Sequence, residues 1–238
     1  MVELLEEEMS LRTELTKEVT TIFADQWAVR DGRVVPDPED IQHGNHASKL
    51  DAVVLYADLS YSTVMVDTEP FHVAAEVYKT YLHCSARVIK ANDGVITAYD
   101  GDRIMAVFVG DSKNTNAAKT GLQITWAVNK IINPGLRAQY GGDAYQVTHV
   151  VGVDSSLIRA ARIGVRNDND LVWVGSAANH AAKLSSISDD HSVVFISKQV
   201  YDRLRADLKV NGNPERNMWS EMTYDGNTVY RSGWQWSI

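Results

Sequence analysis

Gly94-Val95-Ile96-Thr97-Ala98-Tyr99-Asp100-Gly101-Asp102-Arg103-Ile104-Met105-Ala106-Val107-Phe108 is two apolar runs folded about an Asp-Gly-Asp turn, a strong short-range hairpin signal. Upstream stands Ala52-Val53-Val54-Leu55-Tyr56-Ala57-Asp58-Leu59-Ser60-Tyr61-Ser62-Thr63, an apolar run that ends on a carboxylate and passes into hydroxyl-bearing residues. Residues 52–57 are short and apolar enough for a central strand. If that strand lies beside the hairpin, Asp58 and Asp102 converge at one edge of a sheet. A carboxylate at the end of an apolar strand is costly unless it is paired or metal-bound. Two carboxylates beside a phosphate-sized loop are the donor set of a magnesium- or manganese-dependent phosphoryl-transfer site.

Working outward, a helix is expected over residues 70–91, with Pro70 in its first turn and Asn92-Asp93-Gly94 as its stop. Another is expected over 115–132, ended by Asn133-Pro134-Gly135. Strands fit 145–153, about 160–165 and 171–174, followed by a small-residue helix over 176–186. A strand at 193–196, a helix at 197–205 and two aromatic-rich strands close the chain. The order strand, helix, hairpin, helix, strand predicts a ferredoxin-like α+β fold, a mixed or antiparallel sheet with helices on one face. Residues 50–238 are read as one catalytic-type domain, and 1–49 as an amino-terminal helical arm and linker. Within the arm, Leu4, Leu5, Leu11, Leu15, Ile22, Phe23 and Trp27 recur at amphipathic helical spacing over 2–29. That stripe must be buried on the core or on another subunit, and the spacing leaves both open.

Composition excludes several classes. The 238 residues are 45% hydrophobic and 23% charged, enough to bury a real core. A net charge of −8 argues against nucleic acid or an anionic membrane as a general partner. The acidic amino terminus has no apolar signal segment, and no apolar run approaches the ~20 residues of a membrane span, so a cytoplasmic location is expected. The single Cys84 reads as a small core residue. His83, His149 and His180 lack metal-ligand spacing. Tyr140-Gly141-Gly142-Asp143 follows a helix stop and is read as a loop, although it superficially resembles a diguanylate cyclase signature.

A third segment carries chemistry. In Val172-Trp173-Val174-Gly175-Ser176-Ala177-Ala178-Asn179-His180-Ala181-Ala182-Lys183, a helix puts Asn179 and Lys183 on one face. An amide and an ammonium so placed suit a ribose and a phosphate, or form a plain solvated face. Ser60, Tyr61, Ser62 and Thr63 mark a strand-to-helix turn whose backbone N–H groups suit phosphates, or whose hydroxyls serve as ordinary caps.

Together and in this order, the three segments resemble the class III nucleotide cyclase catalytic domain over roughly residues 50–200. The resemblance implies that Asp58 and Asp102 bind two divalent ions, Mn²⁺ or Mg²⁺, with the Leu59 carbonyl assisting. It implies that Asn179 orients the ribose and that Lys183 stands where the family usually has a transition-state arginine. Lysine keeps the charge but not the bidentate fork. The family builds its sites between two domains, so a single domain implies a head-to-tail homodimer.

The departures are informative. Ala98 replaces the lysine or glutamate, and Val172 the polar partner, with which purine cyclases usually read the base. Both polar readers of a purine edge are absent, while the metal carboxylates are intact. Wider stretches, including Tyr56-Ala57-Asp58-Leu59, Gly110-Asp111-Ser112-Lys113-Asn114 and Asn169-Asp170-Leu171-Val172-Trp173-Val174-Gly175, are similar to bacterial pyrimidine cyclases of Pycsar antiphage systems. This implies a ribonucleoside triphosphate substrate, UTP ahead of CTP, and cyclic UMP as a signal for a downstream effector. Tyr56, on the same side of its strand as Asp58, is the candidate base contact or equally a core aromatic, and Trp173 is a second candidate or a packing indole. A purine cyclase and a catalytically silent nucleotide-binding scaffold are the alternatives.

Overall fold

A computed structural model describes residues 2–165, 167–189 and 193–238, the side chains of 2–9 excepted. Helix α1 (Val2–Ala24) leads to a short strand β1 (Ala28–Asp31) and the long strand β2 (His46–Leu59). Helices α2 (Ser62–Thr68) and α3 (Phe71–Ala91) precede the hairpin of β3 (Val95–Asp100) and β4 (Arg103–Phe108). Helix α4 (Lys113–Ala127) runs through a π turn (Val128–Ile132) into α5 (Asn133–Tyr140). Strands β5 (His149–Val165) and β6 (Asp168–Val174) form a second hairpin, followed by α6 (Ser176–Leu184), β7 (Val194–Ser197) and α7 (Lys198–Asp202). A small pair, β8 (Val210–Asn211) and β9 (Arg216–Asn217), precedes the closing hairpin of β10 (Ser220–Tyr224) and β11 (Asn227–Ser232).

The main sheet has the order β10-β11-β7-β5-β2-β4-β3, with β1 beside the start of β2 and β6 beside the far half of β5. Among the described residues only β1 with β2 and β5 with β7 are parallel, so the expected mixed α+β sheet is present. Its centre explains the uninterrupted apolar run of β2, because both faces of that strand are covered. Val53, Leu55, Ala57 and Leu59 join Val77, Tyr81 and Ile89 of α3 and Leu122 of α4 in the larger core. Leu50, Ala52 and Val54 point the other way, onto Ala177, Ala178 and Ala181 of α6. The expectation of helices on one face is therefore corrected. The alanines give α6 a thin apolar side, and it lies on the second face, over β2 and β5.

Other boundaries differ for identifiable reasons. The first helix ends at Ala24, and Ala28–Asp31 is a strand that pairs in parallel with residues 46–49. Helix-compatible residues there yield to a partner strand that local spacing does not show. Asn133-Pro134-Gly135 does not stop its helix: the π turn shifts the backbone register ahead of Pro134, and α5 continues to Tyr140. The two strands expected over 145–165 are one 17-residue strand, and 141–148 is loop. Gly141-Gly142-Asp143 lies in that loop, as expected.

On the edge strand β3 a bulge at Thr97 shifts the register: Ile96 faces Ala106, but Ala98 faces Met105. Helix α1 does not pack on the core. Leu11, Leu15, Val19, Ile22 and Phe23 are exposed, Phe23 at 85%. Asn45 Nδ2 holds the end of the helix by donating to the carbonyls of Ile22 and Asp25, each at 2.8 Å. Leu4 and Leu5 have side chains outside the described residues.

Candidate active site

The register of β2 against β4 assembles the site. Asp58 stands opposite Arg103, and Arg103 opposite Asp100 across the hairpin. The two-residue turn between Asp100 and Arg103 is Gly101-Asp102, and Gly101 takes φ 60, which glycine adopts without a Cβ penalty. One step along the sheet, Tyr56 stands opposite Met105, and Met105 opposite Ala98. Because directly opposed residues share a face, Asp58, Arg103 and Asp100 form one row, and Tyr56, Met105 and Ala98 the next. Both rows lie on the second face, the one α6 covers elsewhere, and Ala98 and Asp100 are exposed there. The strand-to-helix segment of residues 60–63 closes the same end of the sheet.

Charge is unbalanced at this edge. Burial first, then the Asp102 carboxylate, pushes the Asp58 carboxyl up to about 6, with Asp100 adding to the rise. The Arg103 guanidinium and the Leu59 N–H pull the other way without offsetting it. Arg103 is shared out: it donates to Asp100 at 2.9 Å, and its guanidinium carbon lies 5.3 Å from the centre of the Tyr56 ring. Its Nε is buried without a partner. A half-buried carboxylate raised by like charge is an environment that a divalent cation would relieve, and hard oxygen donors suit magnesium or manganese. The residues present thus fit the implied ions: Asp58 and Asp102 would hold them, with the Leu59 carbonyl at the strand end as a further donor.

Beyond Leu59 the Ser60 N–H donates to the Thr148 carbonyl at 3.0 Å, which fixes the exit of the strand. Tyr61 then adopts φ 60 and ψ 24, a left-handed conformation uncommon for a residue with a Cβ. Helix α2 starts at Ser62, and no side chain caps it. The capping role left open for Ser60, Ser62 and Thr63 is therefore not used. Such local strain is characteristic of functional turns.

Asn179 and Lys183 lie one turn apart on the exposed side of α6, as their spacing predicts. Among the described residues no hydrogen bond or ion pair joins either to Asp58 or Asp102; Lys183 instead meets Asp225 at 3.3 Å. Trp173 stands opposite Ala160 and packs in the same apolar cluster as Tyr56. Val172 alternates to the other side of its strand, away from Trp173. Sequence reasoning missed Arg103. Its one signal was its place just after the hairpin turn, and only the register of β2 against β4 puts it opposite Asp58.

Comparison with known proteins adds independent findings. No protein-family model matches the chain. It is 44% identical to the uridylate cyclase of Xanthomonas perforans over 234 residues, covering 97% of this chain and 100% of that protein. The same identity and coverage hold for the uridylate cyclase of Burkholderia cepacia. A third uridylate cyclase, from Rhodovulum sp. (strain MB263), is 33% identical over 95% of this chain and 97% of its own length. Among solved structures, the guanylyl cyclase Cya2 superposes with a TM-score of 0.66 at 17% identity, over 79% of this chain and 93% of that one. The adenylyl cyclase CyaB from P. aeruginosa gives 0.66 at 16% identity, over 78% and 95%. At that identity the likeness is one of fold, the class III cyclase fold.

Proposed function

This chain belongs to the uridylate cyclase family, and from that premise we propose that it converts UTP to 3′,5′-cyclic UMP and pyrophosphate. The ribose 3′-oxygen attacks the α-phosphorus, the bond from that phosphorus to the bridging oxygen of the β-phosphate breaks, and the 3′-hydroxyl proton leaves to solvent. The observation that carries the reading is the register of β2, β4 and β3, which puts Asp58 in one row, Asp102 in the adjoining turn, and Tyr56 and Ala98 in the next row.

Asp58 and Asp102 would hold two divalent ions at the triphosphate end of the site, with the Leu59 carbonyl as a further oxygen donor. When bound, such ions acidify the 3′-hydroxyl and neutralise the departing pyrophosphate. The backbone at Ser60, Tyr61, Ser62 and Thr63 lines the polyphosphate. Tyr56 and Trp173 offer apolar surface for the base, and Ala98 and Val172 leave out the polar groups that would favour a purine. Arg103 supplies the one cation in this row and sets the Tyr56 ring. Asn179 orients the ribose, and Lys183 neutralises transition-state charge after exchanging Asp225 for phosphate.

Among the described residues of one chain no hydrogen bond or ion pair joins Asn179 or Lys183 to the carboxylates, and Lys183 meets Asp225 instead, which supports a homodimer that joins α6 of one protomer to Asp58 and Asp102 of its partner. The uncovered stripe of α1 supports the same assembly, with 1–49 as arm and linker and 50–238 as the catalytic domain. By family resemblance the product is a second messenger in antiviral defence, made in the cytoplasm and read by a separate effector.

The test incubates pure protein with each of the four ribonucleoside triphosphates and Mn²⁺, then identifies products by mass spectrometry. Cyclic UMP is expected to dominate, and Asp58→Ala and Asp102→Ala are each expected to abolish it. A dominant purine product would overturn the base assignment, dominant cyclic CMP would move it to CTP, and metal-dependent UTP binding without product would make the chain a silent scaffold.

A further inference from the structure

Three alternate residues of β5, Gly152, Asp154 and Ser156, point at α6. A Cβ at Gly152 would lie 2.1 Å from the Ala181 carbonyl oxygen and 2.5 Å from the Ser185 nitrogen, so only glycine lets the end of the helix settle there. Asp154 is 6% exposed, and its Oδ2 lies 3.1 Å from His180 Nδ1. Ser156 Oγ accepts from the Ala177 N–H at 3.0 Å in the first turn. The helix is thus gripped at its start, middle and end by one side of one strand. Its opposite side carries Asn179 and Lys183 into solvent.

An alanine-faced helix has little shape to fix its rotation, because small side chains slide and turn over a sheet with little penalty. The Asp154–His180 contact in the middle removes that freedom. His180 follows Asn179 directly, so its bond to a buried carboxylate sets the direction in which Asn179 leaves the helix. Among the described residues, the Oδ2–Nδ1 contact is the polar side-chain contact between the middle of this helix and the sheet.

We propose that Asp154 and His180 are a positioning pair, which sets the rotation of α6 so that Asn179 and Lys183 reach the ribose and phosphates bound by the partner protomer. The pair touches neither substrate nor metal. The proposal rests on the reading of Asn179 and Lys183 given above, and its test separates the two.

His180→Leu strands a buried carboxylate and can cost folding, so the informative variant is the double Asp154→Leu/His180→Leu, which removes both partners together. The double variant is expected to keep the wild-type thermal midpoint and a UTP KM within about 3-fold, while kcat falls about 10- to 100-fold. His180→Asn, which keeps a donor at the Nδ1 position, is expected to hold kcat within about 3-fold. Mixing protomers then locates the defect. The double variant mixed with Asp58→Ala protein is expected to regain turnover, because the Asp58→Ala chain lends a well-seated Asn179 to intact carboxylates. Mixed with Asn179→Ala protein, it is expected to stay slow. Wild-type kcat in the double variant, or rescue by Asn179→Ala protein, overturns the positioning role while leaving the site intact. Full turnover by Asn179→Ala alone overturns the site reading and the positioning role with it.

Discussion

Asp58 shows how a proposed metal ligand opposes the fold that carries it. Burial and the Asp102 charge raise its carboxyl to about 6, so in metal-free protein at neutral pH the ionised form is held at a cost. Asp58→Asn keeps the shape and removes the charge. We expect it to abolish turnover and to raise the melting temperature of chelated protein by roughly 2–4 °C, about 1 kcal/mol once solvent screening of this half-exposed group is allowed for. An unchanged or lower midpoint in differential scanning calorimetry would contradict the crowding. His149, beneath the same strand end, acts with the opposite sign. Its ring is fully buried, its Nε2 lies 3.2 Å from Thr125 Oγ1, and burial lowers it to about 4. The unfolded chain takes up a proton below about pH 6.5 that the folded chain refuses, so stability falls as pH drops from 6.5 toward 4. The loss reaches about 3 kcal/mol. Urea midpoints between pH 7 and 4.5, taken in the Asp58→Asn background, should show this slope, and His149→Gln should flatten it. At this scale the sequence was legible where a residue type is costly in its local setting. Asp58 after an apolar run announces itself, whereas Arg103 after a turn looks like any strand residue until the register is known.

At the scale of elements, the helix running through Pro134 depends on one side chain. Asn133 is buried; its Nδ2 donates to the Val147 carbonyl at 3.0 Å, and its Oδ1 accepts from the Val147 N–H at 2.8 Å. The amide acts as a one-residue strand partner, and it ties the α5 start to the segment entering β5. Asn133→Ala removes both bonds and strands two buried backbone groups, a loss of about 2–4 kcal/mol. Chemical denaturation should read that loss while the KM for UTP stays the same; a loss below about 1 kcal/mol would mean that the bonds are replaced by others. Asn-Pro-Gly in sequence looks like a stop because local rules see only the missing N–H and the ring clash. The π turn and the distant Val147 that accommodate them are tertiary. The same limit hid β1, whose partner residues 46–49 lie outside any local window. Residues 71–91 and the 95–108 hairpin were legible because periodicity, a stop and a turn agree in each.

For the whole molecule, the order of strands and helices identified the architecture, but not which face each helix covers. The periodicity of α6 shows which side of the helix is apolar, but not which face of the sheet that side covers. Its placement matters because it presents Asn179 and Lys183 on an exposed side. The proposed homodimer therefore predicts a concentration dependence. Specific activity should be constant at high protein and fall in proportion to concentration below the dimer dissociation constant. Replacing Leu15 and Ile22 on the α1 stripe with glutamate should move that midpoint to higher protein concentration, read by analytical ultracentrifugation alongside the assay. Constant specific activity down to single picomolar protein, with a monomer in the ultracentrifuge, would exclude a shared site.

The bulge at Thr97 has a consequence beyond catalysis. Strand β3 is the last of its sheet, with one side of its backbone free to pair with another molecule. A regular edge of that kind is a template for intermolecular aggregation, and the extra residue breaks its repeat so that an incoming strand cannot stay in step. The residue that turns Ala98 and Asp100 onto the reactive face thus also guards the chain against self-templated assembly. Deleting Thr97 should cost the enzyme its activity and the solution its clarity together, with light scattering on storage reporting the second loss.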